Sequence, residues 1–186
     1  MRLNKILKNA LLVISAGIIL TACATKKEVA VEAPKKEETK KEETKKEEEV
    51  TKIEKIAGQM QGDVYVGTDS VKYLADGVAD RVFFATNESI LTTASRETLR
   101  AQAAWLRANS NITVVLEGHA DERGTREYNL ALGERRANAA KDYLMTYGVS
   151  SDRITVISYG KERPVDSGST PLAWSKNRRS VTVKAN

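Results

Sequence analysis

Apolar positions in the second half of the chain alternate between short runs and helical stripes. Arg81 to Ala85 and Ile112 to Glu117 are brief and rich in β-branched or aromatic residues, as strands are. Between them, Thr92 to Asn109 carries Leu99, Ala103 and Leu106 on one helical face with Trp105 beside it. Arg96, Arg100 and Arg107 fall off that face and belong to a solvated side. A second helix is predicted to begin between Thr125 and Asn129 and to run to about Tyr147. Its stripe, Gly133, Ala137, Ala140 and Leu144, follows helical spacing, and its small residues suggest close approach to a sheet. Gly148 suits the position just past the helix end. Ile154 to Tyr159 reads as a third strand, Lys161 to Ala173 as a turn-rich loop, Trp174 to Asn177 as a helical turn, and Arg179 to Val183 as a last strand. Strands alternating with helices predict an α+β or α/β sandwich, a mixed sheet covered on one face by two helices.

The first half has a different texture. Met1 to Cys23 has a basic start, an apolar run from Ala10 to Leu20, and small residues before the only cysteine. That is the layout of a signal peptide, and the run is too short to span a bilayer stably. Leu20-Thr21-Ala22-Cys23 resembles a bacterial lipobox. The resemblance implies cleavage before Cys23, a diacylglyceryl thioether on its sulfur, and acylation of the new amine. Several acyl chains would make a stable anchor where one chain would be marginal. Ala24 in place of Asp implies sorting to the outer membrane of a Gram-negative cell, with the rest of the chain facing the periplasm. Lys26 to Lys55 holds ten Lys and ten Glu, with KKEE recurring at Lys35, Lys40 and Lys45. A segment this poor in apolar residues cannot offset the entropy of folding, so a disordered spacer is expected. The predicted organisation is therefore a signal peptide over 1–22, the lipidated cysteine and spacer over 23–55, an irregular lead-in over 56–79 with one helical turn near Val71 to Leu74, and a domain over 80–186.

Charge placement removes one class of partner. The net charge is +5, but Arg2, Lys5 and Lys8 supply three of those charges within the segment expected to be removed. No basic stripe interleaved with aromatics is present, so no nucleic-acid partner is expected. One Cys and one His exclude an intramolecular disulfide and a Cys/His zinc cluster.

The candidate chemistry gathers in Gly118 to Ala139, GHADERGTREYNLALGERRANA. This is a strand end, a loop dense in charge, and a helix start, the arrangement in which α/β folds place binding groups. The helix N-terminus adds free N–H groups suited to a carboxylate. The stretch resembles the signature of OmpA-like peptidoglycan-binding domains. The likeness continues in Ser158-Tyr159-Gly160-Lys161-Glu162 with Pro164 and in Ser175-Lys176-Asn177-Arg178-Arg179, and covers roughly Asp80 to the C-terminus.

The ligand this resemblance implies is the diaminopimelate residue of the peptidoglycan stem peptide, a zwitterion. Asp121 would receive its ammonium and Arg136 its carboxylate, fifteen residues on, as the family pattern requires. The alternative is that Asp121 and Arg136 pair with each other. Asn129 either fixes the loop or donates to the ligand. Leu132 is pocket wall and core. His119 makes either a structural hydrogen bond or a ligand contact. Asn177 and Arg178 would close the rim. Phe83 and Phe84 point to opposite faces of their strand, so one is core and the other, taken as Phe84, lines the groove. Asn87 follows a position, Ala85, where the family usually has Asp. A side-chain contact from that Asp is missing here, while backbone contacts do not depend on it. No cofactor is expected beyond the lipid on Cys23.

Three functional classes compete. The first is a non-enzymatic binding module that ties the outer membrane to the cell wall, with TolB and TolA as the partners the resemblance implies, serving envelope integrity and cell division. The second is a peptidoglycan hydrolase. It has no second His and no Ser in a nucleophile motif, although spacing alone leaves a paired-carboxylate glycosidase open. The third is a structural or Tol-binding lipoprotein whose ligand binding is weak or lost.

Overall fold

The computed structural model describes residues 58–185. The signal peptide, Cys23 and the Lys/Glu-rich spacer lie outside them. Two small hairpins come first, β1 (Met60–Gln61) with β2 (Val64–Tyr65), and β3 (Tyr73–Ala75) with β4 (Val78–Ala79). The expected helical turn near Val71 to Leu74 is absent, because Tyr73 and Leu74 are extended in β3. Each hairpin turns at a glycine with positive φ, Gly62 at 62° and Gly77 at 70°, a conformation glycine reaches without strain.

The main sheet follows. β5 (Arg81–Phe83) leads to helix α1 (Thr93–Ala108), β6 (Val114–His119), helix α2 (Arg126–Thr146), β7 (Ile154–Gly160), the short helix α3 (Pro171–Asn177) and β8 (Arg179–Lys184). The strand order is β5-β8-β6-β7. β8 enters antiparallel between β5 and β6, whereas β6 and β7 are parallel. This is the mixed sheet the alternation predicts. α1 is capped by Thr92 and α2 by Thr125, each side chain accepting a backbone N–H from three residues on.

The helices cover one face. Val82, Phe84, Leu116 and Ile154 meet Leu99, Leu106, Ala137, Ala140 and Leu144 in one core. Buried polar groups tie α1 to the strands: Gln102 donates to the Ala79 carbonyl at 2.7 Å and accepts from the Thr182 hydroxyl at 2.7 Å. α2 lies on β6 and β7 at very short range. A Cβ on Gly118 would stand 1.8 Å from the Gly133 carbonyl oxygen, so both positions must be glycine for helix and strand to touch. That contact presses the start of α2 against the end of β6, where the charged loop begins.

Candidate functional site

β6 ends at His119, and the chain turns through Ala120 to Gly124 before Thr125 caps α2. Asp121 sits in this turn, 7% exposed. Its carboxylate accepts from the Arg123 backbone N–H (3.1 Å), from Arg123 Nε (3.1 Å) and Nη2 (2.7 Å), and from Arg178 Nη1 (3.2 Å). Burial draws the Asp121 carboxyl upward, but the bonds from Arg123 and Arg178 outweigh it and hold the group below the usual carboxylate range. Asp121 is therefore ionised at neutral pH.

Asp121 and Arg136 do not pair with each other. The Arg136 side chain is fully enclosed and donates to three main-chain carbonyls, Glu88 (2.8 Å), His119 (2.8 Å) and Ala85 (3.0 Å). Ala85 thus reaches Arg136 through its backbone alone. Burial, with Arg178 nearby, lowers the Arg136 pKa to about 10, which leaves it cationic at neutral pH. Arg178 is also buried. It donates to Asp121, to the Phe84 carbonyl at 3.1 Å and to the Asp63 carbonyl. Two buried guanidinium groups thereby staple the loop after β5 to the loop after β6.

The other expected residues separate into those at this site and those elsewhere. Asn129 fixes the loop: its amide donates to the Arg123 carbonyl at 2.8 Å. Leu132 is enclosed in packing, and Asn87 is exposed in the loop beside Arg136 with φ 57°. Phe84 must be corrected. Its ring is wholly in the core, because Val82 and Phe84 share the helix side of the strand, and only its backbone reaches Arg178. Phe83 takes the opposite face, edge-on to Tyr65 at 4.7 Å. Asn177 does not close the rim, since its amide is spent on the backbone of Val165 and Asp166. His119 lends this site its carbonyl only. Its ring points to the other side of the sheet, stacked with Tyr159 at 5.6 Å.

Three participants escape a reading of the sequence. Arg123 pairs with Asp121 while lying 4.3 Å over the Trp174 ring. Trp174 is held by its indole N–H on Glu122 at 2.8 Å. Asp63, in the turn of the first hairpin, accepts from the Thr86 backbone at 2.6 Å. The Asp-x-Arg spacing was the available signal for Arg123, as Asp side chains commonly cap the backbone two residues on.

A charged loop at the junction of a mixed sheet and two helices, built around Asp121 and two buried arginines, is the arrangement of a binding domain, and the family comparison names its class. The chain belongs to the OmpA family, whose model matches residues 83–178. Within it, the chain is 54% identical over 106 residues to the peptidoglycan-associated lipoprotein of Mesorhizobium japonicum, covering 57% of this chain and 63% of that one. It is 40% identical over 131 residues to the protein of the same name from Pasteurella multocida, covering 70% and 83%. The crystal structure of the peptidoglycan-associated lipoprotein from Burkholderia pseudomallei superimposes with a TM-score of 0.56 at 34% identity, covering 57% of this chain and 90% of that one. The chain spans somewhat under two thirds of the length of the Mesorhizobium relative.

Proposed function

We propose that the protein is an outer-membrane lipoprotein that binds the diaminopimelate of peptidoglycan noncovalently and so tethers the outer membrane to the cell wall, without catalysing a reaction. The observation that carries this reading is one ionised carboxylate, Asp121, set among the guanidinium groups of Arg123 and Arg178, with Arg136 near enough for its charge to act on Asp121. Carboxylates and guanidinium groups gathered in one place suit a zwitterion that carries both an ammonium and a carboxylate. Asp121 receives the ammonium. The carboxylate is drawn to Arg136, whose three carbonyl bonds leave two of its five donors, and the 85–88 backbone has to yield for it to enter. Binding needs no activated nucleophile and no proton shuttle.

Acyl chains on Cys23 hold one end in the membrane and the spacer bridges part of the periplasm. Single-site affinity is modest, because the ligand must replace bonds that Asp121 and Arg136 already make within the fold. Many tethered copies facing a polymer gain by effective concentration. TolB and TolA are partners in this reading on the strength of the family resemblance alone.

The test is calorimetric titration of the full chain with a muropeptide that contains diaminopimelate. The wild type is expected to bind, Asp121→Ala to lose about tenfold or more, and Arg136→Lys to lose affinity while keeping the charge. Absence of binding by the folded wild type would overturn the assignment and favour a purely structural or Tol-facing lipoprotein.

A further inference from the structure

The face of the sheet turned away from the helices holds a second cluster that the proposed ligand does not use. Strand alternation places Arg81 of β5, Glu117 and His119 of β6, and Arg179 of β8 on this side, with Arg81 and Glu117 flanking Val181 of β8. With Arg163 from the loop after β7, they line an open pocket of about 700 Å³. Lys72, Asp80 and Lys184 also line it.

The charges there are unbalanced. Arg81 is satisfied by a bidentate pair with Asp80, at 2.7 and 2.8 Å. Arg179 is 6% exposed and donates only to two main-chain carbonyls, those of Asn177 and Arg163. Its Nε–H has no hydrogen-bond partner among the described residues. The guanidinium carbon of Arg163, an exposed residue, stands 3.8 Å from the centre of the Tyr159 ring. His119 is 2% exposed, and among the described residues neither of its ring nitrogens finds a hydrogen-bond partner. The Glu117 carboxylate lies 3.6 Å from its Nε2, beyond hydrogen-bond range. Buried polar atoms are almost always paired, so two unpaired groups on the floor of one cationic pocket call for a ligand that pairs them.

We propose that this pocket is an oxyanion site, seating a carboxylate or phosphate group between Arg163 and Arg179 over His119, on the opposite side of the sheet from Asp121. Glu117 occupies part of that place as an internal carboxylate, with its side chain 23% exposed and free to swing outward. An arriving anion displaces it and takes up the free Arg179 and His119 donors. Burial, followed by the fields of Arg179, Arg81 and Arg163, lowers the His119 pKa to about 3 in the empty pocket, so the ring is neutral there. Of the other groups beside it, the Glu117 carboxylate opposes that field, and the Tyr159 ring lies against the imidazole. A bound anion adds negative charge and raises the His119 pKa.

His119 is the sole histidine, so its imidazole resonances in the full chain are unambiguous. Inorganic phosphate and acetate are titrated at pH 6.5 with chloride holding ionic strength constant. The expected result is a saturable shift of the His119 signals, with a titration midpoint raised by about one pH unit or more. Arg163→Ala removes an exposed side chain and should weaken the anion about tenfold while leaving the unfolding midpoint unchanged. Glu117→Gln removes the internal competitor and should tighten it several-fold. Phosphate binding above acetate points to a phosphate-bearing ligand, and the reverse to a carboxylate-bearing one. A His119 signal that ignores both anions, or one that shifts equally in Arg163→Ala, overturns the site. Because the readout lies across the sheet from Asp121, its failure leaves the diaminopimelate reading untouched.

Discussion

On the helix side of the sheet, Val82, Leu116 and Ile154 meet Leu99, Ala137 and Leu144, and a Gly118–Gly133 contact leaves no room for a methyl group. One residue along, the same strands present Arg81, Glu117, His119 and Arg179 to the other side, where Val183 and Ile157 remain 39% and 38% exposed. One face is held by volume and the other by charge. The helix face should therefore fail when atoms are added, and the opposite face when protons are added.

The largest expected effect tests the first half of that contrast. Gly118→Ala drives a Cβ into the Gly133 carbonyl, and backbone cannot step aside as a flexible side chain can. We expect a loss of about 3 kcal/mol or more, enough to lower the melting temperature by roughly 10 °C. Val183→Ala on the other face should stay within about 0.5 kcal/mol of wild type. Calorimetric melting of the three proteins decides it. A mild Gly118→Ala would mean that α2 is not pressed on β6, and the loop carrying Asp121 would lose its positioning element.

The second expectation tests the charged face. His119 has a folded-state pKa near 3 against about 6.5 when unfolded. Between those values the unfolded chain binds a proton that the folded chain refuses. Stability is therefore full above the unfolded pKa and falls as pH drops toward 3. From pH 7 to pH 5 this one group should remove about 2 kcal/mol. His119→Phe lacks the group, and the carboxylates that titrate in the same range are common to both proteins. Chemical unfolding at pH 7 and pH 5 should show the wild type losing more than the variant by that margin. Equal losses would mean that the ring is protonated in the fold.

The same contrast shows what the sequence could reveal. Helix starts at Thr92 and Thr125 and the stripe through Gly133 and Leu144 are local patterns, and each lies where spacing places it. The face of a short strand is not local. Alternation separates Phe83 from Phe84, but only the packing of Val82 and Phe84 against α1 decides which ring is core. His119 adjoins the functional loop in sequence yet points away from it, since Gly118 faces α2 and a register shift separates the two residues. The hairpins over residues 60–79 escape because each strand is only two or three residues long, too short to display a period, although Asp76-Gly77 is a turn signal. Asp121 and Arg136 were legible in the sequence only as members of the family pattern. Their partners were not, because Arg136 binds carbonyls contributed by three separate positions of backbone.

The smallest effect concerns the exposed edge of the binding site, where the two modes of holding meet. Asp121 is not vacant: Arg123 occupies both of its oxygens, and its side chain is 42% exposed while resting on Trp174. In the proposed function an incoming ammonium must displace that guanidinium, much as a ligand must displace any internal competitor. Such a solvent-reached pair is worth about 0.2–1 kcal/mol, so removing it should tighten diaminopimelate binding by roughly 1.4- to five-fold. Arg123→Ala also frees Trp174, whose bond to Glu122 keeps the ring in place. Titration of Arg123→Ala and Arg123→Gln with the same muropeptide reads the outcome. Tighter binding in both makes Arg123 a stand-in for the ligand's ammonium. Weaker binding in both gives Arg123 the opposite role, a cation that leaves Asp121 in the complex and grips the ligand's carboxylate, which would relieve the enclosed Arg136 of that task.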